Sequence, residues 1–132
     1  CPLFVPLVEA GYVDHSEEEK QQVTRLVIAQ YLTEVRDAGV DTLILGCTHY
    51  PLLTDIIGDI MGPGVTLINT GEEAAGELKR TLRAMDLLAP EGPAGRAILC
   101  ASDQPEHFGS LAAYFLGESL TRPVQPVDID RY

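Results

Sequence analysis

The amino-acid sequence predicts an α/β fold with a mostly parallel sheet and helices on both faces. Short apolar runs that are typical of strands alternate with longer segments whose apolar residues repeat every three or four positions, as in helices. Glycine, proline and capping residues separate these segments. Strands that are joined through helices run parallel, with right-handed crossovers. A chain of 132 residues is long enough for one such domain.

The first part of the chain is predicted to hold an extended segment and one long helix. The apolar residues from Leu3 to Val8 are interrupted by prolines, which favours a short strand-like or extended piece. Ser16 and Glu19 have the spacing of a capping box, in which each side chain accepts a hydrogen bond from the backbone at the helix start. The helix that they open carries one apolar stripe and ends near Gly39.

The rest of the chain continues the alternation of strand and helix. Pro51 suits the first turn of a helix, and Thr70 and Glu73 form a second capping box. Ser102 or Asp103 would cap the last helix. We predict strands at 40–45, 65–69, 96–102 and 124–129, and helices at about 51–61, 70–88 and 105–116.

The charge of the chain limits its partners. A formal charge of −11, from 20 acidic and 9 basic residues, argues against nucleic acid or an anionic membrane, since both bind clustered Lys and Arg. No apolar run has the length of a membrane span. A small anionic substrate would have to be held by local hydrogen-bond donors.

Three cysteines, at positions 1, 47 and 100, form no Cys-x-x-Cys pair and cannot all be bridged. This favours a reducing, cytoplasmic compartment. We expect Cys1 and Cys100 to be core residues. Because the chain opens without methionine on residues that resemble a protein interior, we expect its beginning to be a cut or processed end, from which targeting cannot be judged.

The turn Gly46-Cys47-Thr48-His49, which follows the strand predicted at 40–45, is the leading candidate for a functional site. Open α/β sheets bind ligands at the carboxyl ends of their strands. Cys47 would lie near free backbone N–H groups and the positive end of a helix dipole, which favour its thiolate. Gly46 allows a ligand to approach closely, and Thr48 and His49 add a hydroxyl and an imidazole. These neighbours favour a functional role for the Cys47 thiol over that of a small apolar residue that fills a strand end.

Two further residues are candidates for this site. His49 could donate to a substrate or move a proton, although a solvent-facing role at a helix N-terminus is the alternative. Glu9 follows the first apolar segment at a second candidate strand end, where an ordinary solvated glutamate is equally compatible. Helix capping alone explains the turn at 69–71. No metal site and no glycine-rich nucleotide motif is recognisable.

Three stretches of the sequence carry a family resemblance. They are Leu45-Gly46-Cys47-Thr48-His49-Tyr50-Pro51-Leu52-Leu53, Cys1-Pro2-Leu3-Phe4-Val5-Pro6-Leu7-Val8-Glu9 and Asp103-Gln104-Pro105-Glu106-His107-Phe108. Together they strongly resemble glutamate racemase over nearly the whole chain. Related aspartate racemases usually carry glutamate where His49 stands, which favours glutamate as the substrate.

The resemblance implies part of the two-lobe aspartate/glutamate racemase fold, and a bacterial cytoplasmic enzyme that interconverts L- and D-glutamate for peptidoglycan synthesis. The family needs no cofactor: one cysteine removes the α-proton and a second returns a proton on the opposite face. Carried over, Cys47 is one of the two catalytic cysteines and Thr48 binds the substrate. His49 assists as an acid and orienting group, and Glu9 is a supporting acidic residue near the site.

The resemblance also implies that the chain is a portion of the family fold. Family members are longer, and their N-terminal half carries the second catalytic cysteine; neither Cys1 nor Cys100 stands in a matching motif. Residues 1–72 would belong to the second lobe, and residues 73–132 would complete the first. We expect the chain to be inactive alone, and self-association as a homo-oligomer would cover its exposed apolar faces.

Other functions stay open on the sequence alone. The same superfamily contains racemases for aspartate and for other substrates such as hydantoins. A binding module for a small carboxylate could use the 46–51 turn as an anion cradle without catalysis. A thiol hydrolase is the weakest alternative, because no third group that would orient its base is identifiable.

Overall fold

The structure, a computed structural model, describes residues 1–13, 17–92, 95, 97–117 and 120–131. The chain divides into two compact units, Cys1–Ala89 and Pro90–Tyr132. Each unit combines helices with one pair of parallel strands, which confirms the predicted α/β class. In the part of the chain that is described, no helix has both the length and the apolar character that crossing a membrane requires.

The described residues of the first unit form four α-helices, two strands and one 3₁₀ turn. In chain order they are α1 (Phe4–Glu9), α2 (Glu18–Asp37), β1 (Thr42–Leu45), the 3₁₀ turn (Tyr50–Leu53), α3 (Thr54–Met61), β2 (Thr66–Asn69) and α4 (Thr70–Ala84).

The two strands of the first unit bury one face against the helices. β1 and β2 pair in parallel, with Thr42 opposite Thr66 and Leu45 opposite Asn69. Side chains alternate between the two faces of a strand, so Leu45 enters the core while its neighbour Ile44 stays 63% exposed. The core is built from residues of α1, α2, α3 and the adjoining segments: Phe4, Val8, Val13, Ile28, Leu32, Leu45, Leu53, Ile56, Ile57 and Met61.

The segment Leu3–Val8 was expected to be strand-like, and this prediction is wrong because residues 4–9 form helix α1. Pro6 lies in the first turn of that helix, where its missing N–H would have no intrahelical acceptor in any case. Phe4 and Val8 are one helical turn apart and both are 1% exposed. These apolar residues therefore form one buried face of a helix and not the alternating pattern of a strand.

Helix α2 is anchored to the turn after α1 through a buried hydroxyl. The Thr24 hydroxyl donates to the backbone carbonyl of Tyr12 over 2.9 Å, and Thr24 is fully buried. The predicted capping residue Ser16 lies outside the described residues. Glu17 is the residue that precedes the helix, and its side chain makes no capping hydrogen bond.

The later turns of the first unit differ from the sequence prediction in detail. Pro51 is the second residue of the 3₁₀ turn, and the α-helix begins only at Thr54. Asn69, and not Thr70, caps α4, with its side-chain oxygen accepting from the backbone N–H groups of residues 71 and 72. The helix ends at Ala84, before the predicted residue 88, and Asp86 follows with a positive φ of 56°.

The second unit is smaller and its described side chains are largely accessible. It holds β3 (Cys100–Ala101), α5 (Pro105–Leu116), β4 (Gln125–Pro126) and a 3₁₀ turn (Ile129–Arg131). Helix α5 has the predicted bounds. The strands predicted at 96–102 and 124–129 shrink to two residues each, since a strand extends only where a neighbour pairs with it; Arg96 lies outside the described residues.

Two further expectations for the second unit are corrected. Gln104, with φ of 41°, precedes α5, and Asp103 accepts from the N–H of Gln104 without capping the helix. Cys100, like Cys1 in the first unit, is exposed and not a core residue. Large apolar side chains such as Ile98 and Leu116 are more than half exposed.

Candidate active site

The candidate site lies at the carboxyl ends of β1 and β2. Because these strands are parallel and in register, the turn after Leu45 and the start of α4 after Asn69 lie side by side. The Thr70 hydroxyl donates to the carbonyl oxygen of Leu45 over 3.2 Å and joins the start of α4 to the end of β1. The chain then passes through Gly46, whose position has open space where a side chain would stand.

Cys47, Thr48 and His49 form the polar part of the first turn. The Sγ of Cys47 lies 4.0 Å from Nδ1 of His49, and the Oγ1 of Thr48 lies 3.3 Å from the same nitrogen. Cys47 is partly buried, whereas Thr48 is exposed. The thiol is therefore accessible from the carboxyl edge of the strands, with a hydroxyl and an imidazole beside it.

Glu9 reaches this turn from the C-terminal end of α1. Its Oε1 lies 3.2 Å from Nε2 of His49, and the side chains of His49 and Glu9 are 19% and 44% exposed. The four residues singled out in the sequence thus come together, although Glu9 does so from a helix and not from a strand end. The sequence does not reveal this because a helix and a turn so far apart in the chain meet only through packing.

The ring nitrogens of His49 face two different partners, and this arrangement selects a tautomer. A carboxylate can only accept, so the neutral imidazole donates its Nε2–H to Glu9. Nδ1 then presents its lone pair towards Thr48 and Cys47. In this tautomer Nδ1 can accept a proton from the neighbouring hydroxyl or thiol. The Glu9 carboxylate would then stabilise the positive charge of the ring.

The first helical segment after Cys47 is shorter than the sequence suggested. The 3₁₀ turn Tyr50–Leu53 separates the thiol from α3. Helix dipoles act within the first turn and grow with aligned peptide units, so a four-residue turn supplies a smaller field than the expected α-helix.

Among the described residues of the site, Tyr50 has a clearly raised pKa. Burial and, to a lesser extent, the charge of Cys47 raise the pKa of the Tyr50 phenol above its ordinary value of 10.0. Sequence reasoning gave Tyr50 no role in the site, and it also assigned Thr70 to capping. The adjacency of Tyr50 to the Cys-Thr-His run was the one available signal.

The potential metal ligands in the described part of the chain are dispersed. Among the described residues, no three His, Cys, Asp or Glu side chains are grouped as ligands. Cys47 and Glu9 contact opposite nitrogens of the same ring, so they do not converge on a shared point. Proton transfer is the chemistry that this arrangement can perform.

Comparison with known proteins finds similarity to glutamate racemases over almost the whole of this chain. No family model matches the chain. Glutamate racemase from Geobacter metallireducens is 43% identical over 120 residues, which are 91% of this chain and 42% of that protein. The crystal structure of glutamate racemase from Thermus thermophilus, in complex with β-chloro-D-alanine, superimposes with a TM-score of 0.81 at 41% identity, covering 100% of this chain and 47% of that one. This chain is a homologue of glutamate racemase.

A second solved structure extends the comparison. Glutamate racemase from Francisella tularensis, in complex with D-glutamate, matches with a TM-score of 0.78 at 30% identity, over 98% of this chain and 46% of that one. The chain therefore matches part of the glutamate racemase fold and spans less than half the length of the racemases that it resembles. The family resemblance seen in the sequence is confirmed.

Proposed function

We propose that this chain forms part of the active site of a glutamate racemase, in which Cys47 is one of two bases. The observation that carries the proposal is the continuous line from the Sγ of Cys47 through the imidazole of His49 to the carboxylate of Glu9. A thiol, a base and an orienting third group in this order form the arrangement that activates a nucleophile or a base.

In the proposed reaction, protons move on opposite faces of the α-carbon. The thiolate of Cys47 forms an S–H bond with the α-proton, and the electron pair of the broken C–H bond remains on the substrate, delocalised into its carboxylate. A second thiol gives its proton to the other face. It would come from the part of the racemase fold that this chain does not match. In the reverse direction the two sulfurs exchange roles, so neither thiol is consumed and no cofactor is needed.

The neighbouring residues have supporting roles in this proposal. His49 accepts the thiol proton at Nδ1 or returns it, and Glu9 holds the ring through Nε2. The exposed Thr48 hydroxyl can turn its proton from Nδ1 of His49 to a substrate oxygen, where donors stabilise the negative charge that develops as the α-proton leaves. Cys47 and His49 are the proposed catalytic residues; Thr48 and Glu9 are the proposed substrate-binding and supporting residues.

Glutamate is the proposed substrate. Its support is the complex of D-glutamate with the Francisella tularensis racemase, together with histidine at position 49. The enzyme would supply D-glutamate for peptidoglycan in the bacterial cytoplasm. Aspartate and a carboxylate-binding role without catalysis are the alternatives that the experiment below separates.

The division into lobes is also a proposal. Residues 1–72 would belong to the lobe that carries Cys47, and residues 73–132 would return to complete the other lobe. The proposed boundary falls within helix α4, which lies inside the first compact unit. This helix has apolar and polar residues on separate faces, yet none of its described side chains is buried. Contact with further chain, in a complete fold or in a homo-oligomer, would cover that face.

The experiment supplies the part of the fold that the chain does not match. The 132-residue chain is mixed with, or fused to, the remaining portion of the Thermus thermophilus racemase, and size-exclusion chromatography verifies the assembly. Exchange of the α-proton of L-glutamate, D-glutamate and L-aspartate in D₂O is then followed by NMR. Cys47→Ala is the inactive control, and Cys100→Ala, which alters an exposed cysteine far along the sequence, is the matched control.

Each outcome decides between the alternatives. Glutamate exchange that Cys47→Ala abolishes and Cys100→Ala retains would support the proposal. Faster exchange of aspartate than of glutamate would overturn the substrate. Binding of glutamate without any exchange in the assembled protein would favour a carboxylate-binding module over a racemase.

A further inference from the structure

The ring of Phe4 lies at the junction of three segments of the first unit. Phe4 is 1% exposed. Its ring packs edge-on against Tyr31 of α2, with centroids 5.6 Å apart and planes at 88°. It also packs edge-on against Tyr50, with centroids 5.2 Å apart and planes at 68°. Aromatic pairs in such edge-to-face geometry contribute attraction beyond the area that they bury.

These ring contacts join the two segments that carry the Glu9–His49 pair. Phe4 and Glu9 belong to the same six-residue helix α1, and Tyr50 follows His49 directly in the chain. The position of α1 relative to the Cys47 turn is therefore fixed at one end by Phe4 against Tyr50. At the other end, Glu9 meets His49 over 3.2 Å.

The two contacts differ in their capacity to hold the helix in place. The Glu9 and His49 side chains are 44% and 19% exposed, and a hydrogen bond between side chains that water reaches contributes little to stability. The Phe4 ring is fully removed from water, and its burial contributes substantially more. The ring packing is therefore the stronger of the two contacts that hold α1 against the Cys47 turn.

We propose that Phe4 and Tyr50 are positioning residues: their ring contact places α1 so that Glu9 accepts the Nε2–H of His49, which leaves Nδ1 unprotonated beside Cys47. This inference rests on the proposed function, because the tautomer matters for catalysis only if Cys47 acts as a base. The raised pKa of Tyr50, caused by burial and the nearby Cys47 charge, agrees with the ring being packed close to the thiol.

The test measures the His49 imidazole directly in the uniformly ¹⁵N-labelled chain, without substrate. Long-range ¹H–¹⁵N NMR spectra give the tautomer, and the exchange of the Nε2 proton with water reports its hydrogen bond. His49→Asn assigns the signals, and Glu9→Ala defines the exchange rate without the carboxylate. We expect Glu9→Ala to accelerate exchange several-fold, up to about fivefold, as the loss of a water-accessible contact to a carboxylate implies.

Phe4→Leu and Tyr50→Leu, which remove one ring each, are expected to move the exchange rate most of the way to the Glu9→Ala value. Tyr50→Phe keeps the ring and removes the hydroxyl, so it should retain the original rate. Val8→Ala is the matched control, because Val8 is equally buried on the same helix and carries no ring. Circular dichroism verifies that each variant is folded, and Tyr50→Leu replaces Phe4→Leu if the latter does not fold.

Two results would overturn the inference. One is an unchanged exchange rate in the folded ring-deleted variants. The other is an equal acceleration in Val8→Ala, which would mean that any loss of packing on α1 disturbs the pair. Since no turnover is measured, failure here leaves the racemase proposal intact, and an inactive racemase could still show the positioning.

Discussion

The carboxylate of Glu9 lies 3.2 Å from Nε2 of His49, although the two residues are 40 positions apart in the chain. The contact joins the end of α1 to the turn that carries Cys47. It gives the imidazole an acceptor on the side away from the thiol, so the two ring nitrogens have different tasks.

Replacing Glu9 by alanine should affect the histidine and hardly affect stability. Because the pair is accessible to water, we expect Glu9→Ala to change the free energy of unfolding by less than about 1 kcal/mol. Urea denaturation followed by circular dichroism measures this. Glu17→Ala is the control, since it also removes an exposed carboxylate with one close partner, Lys20 at 2.8 Å. A loss for Glu9→Ala well above that of Glu17→Ala would mean that the carboxylate itself holds α1 in place.

Asn69→Ala should destabilise the start of α4. The Asn69 side chain accepts from the N–H groups of Gly71 and Glu72, and the loss of such a cap costs about 0.5–2 kcal/mol. Amide hydrogen exchange at these two residues should accelerate accordingly. Asn69→Asp keeps an acceptor oxygen and should retain the protection. Equal exchange in the alanine and aspartate variants would contradict the capping role.

Gly62→Ala should destabilise the first unit through its backbone alone. Gly62 has φ of 88° and ψ of 167°, a region almost restricted to glycine, yet an added Cβ would meet no atom within 4 Å. We expect a loss of about 1–3 kcal/mol in thermal or urea unfolding.

Gly64→Ala is the matched control for that experiment. Gly64 also has open space at the Cβ position, and its φ is not positive. We expect this variant to be neutral or more stable by up to about 1 kcal/mol, because alanine restricts the unfolded chain. Similar losses in both variants would show that the conformation at residue 62 is not the cause.

Tyr50 should make stability depend on pH in the alkaline range. Burial and the charge of Cys47 raise its pKa above 10.0, so the folded chain holds the phenolic proton more tightly than the unfolded chain. This contribution is complete below the ordinary tyrosine pKa and is lost as the pH rises through the raised one. Between about pH 9 and pH 11, the free energy of unfolding of Tyr50→Phe should therefore fall less steeply than that of the unaltered chain. Parallel curves would contradict the prediction.

Much of the fold could be predicted because local patterns decide it. Helix α5 has the predicted bounds, and β1 and β2 lie inside the predicted strands at 40–45 and 65–69. Helix α1 could not be predicted in this way. Its prolines suggested extended chain, whereas the spacing of Phe4 and Val8 becomes meaningful only once α2 and the 3₁₀ turn provide a surface for them.

The candidate site shows the same division. The residue types at 46–49 and their place at a strand end pointed to Cys47, Thr48 and His49 from the sequence alone. The pairing of Glu9 with Nε2, the approach of Tyr50 to the thiol and the tie from Thr70 to Leu45 depend on which segments pack together.

The sequence by itself determined the alternation of strands and helices, the family resemblance and the position of the thiol. Hydrophobic periodicity, capping residues and the Cys-Thr-His run each involve a few neighbouring residues, so they can be recognised from the sequence alone. Only the tertiary structure decided how His49 is oriented. That orientation follows from the burial of Phe4 between Tyr31 and Tyr50, a contact among three distant segments that local preferences do not encode.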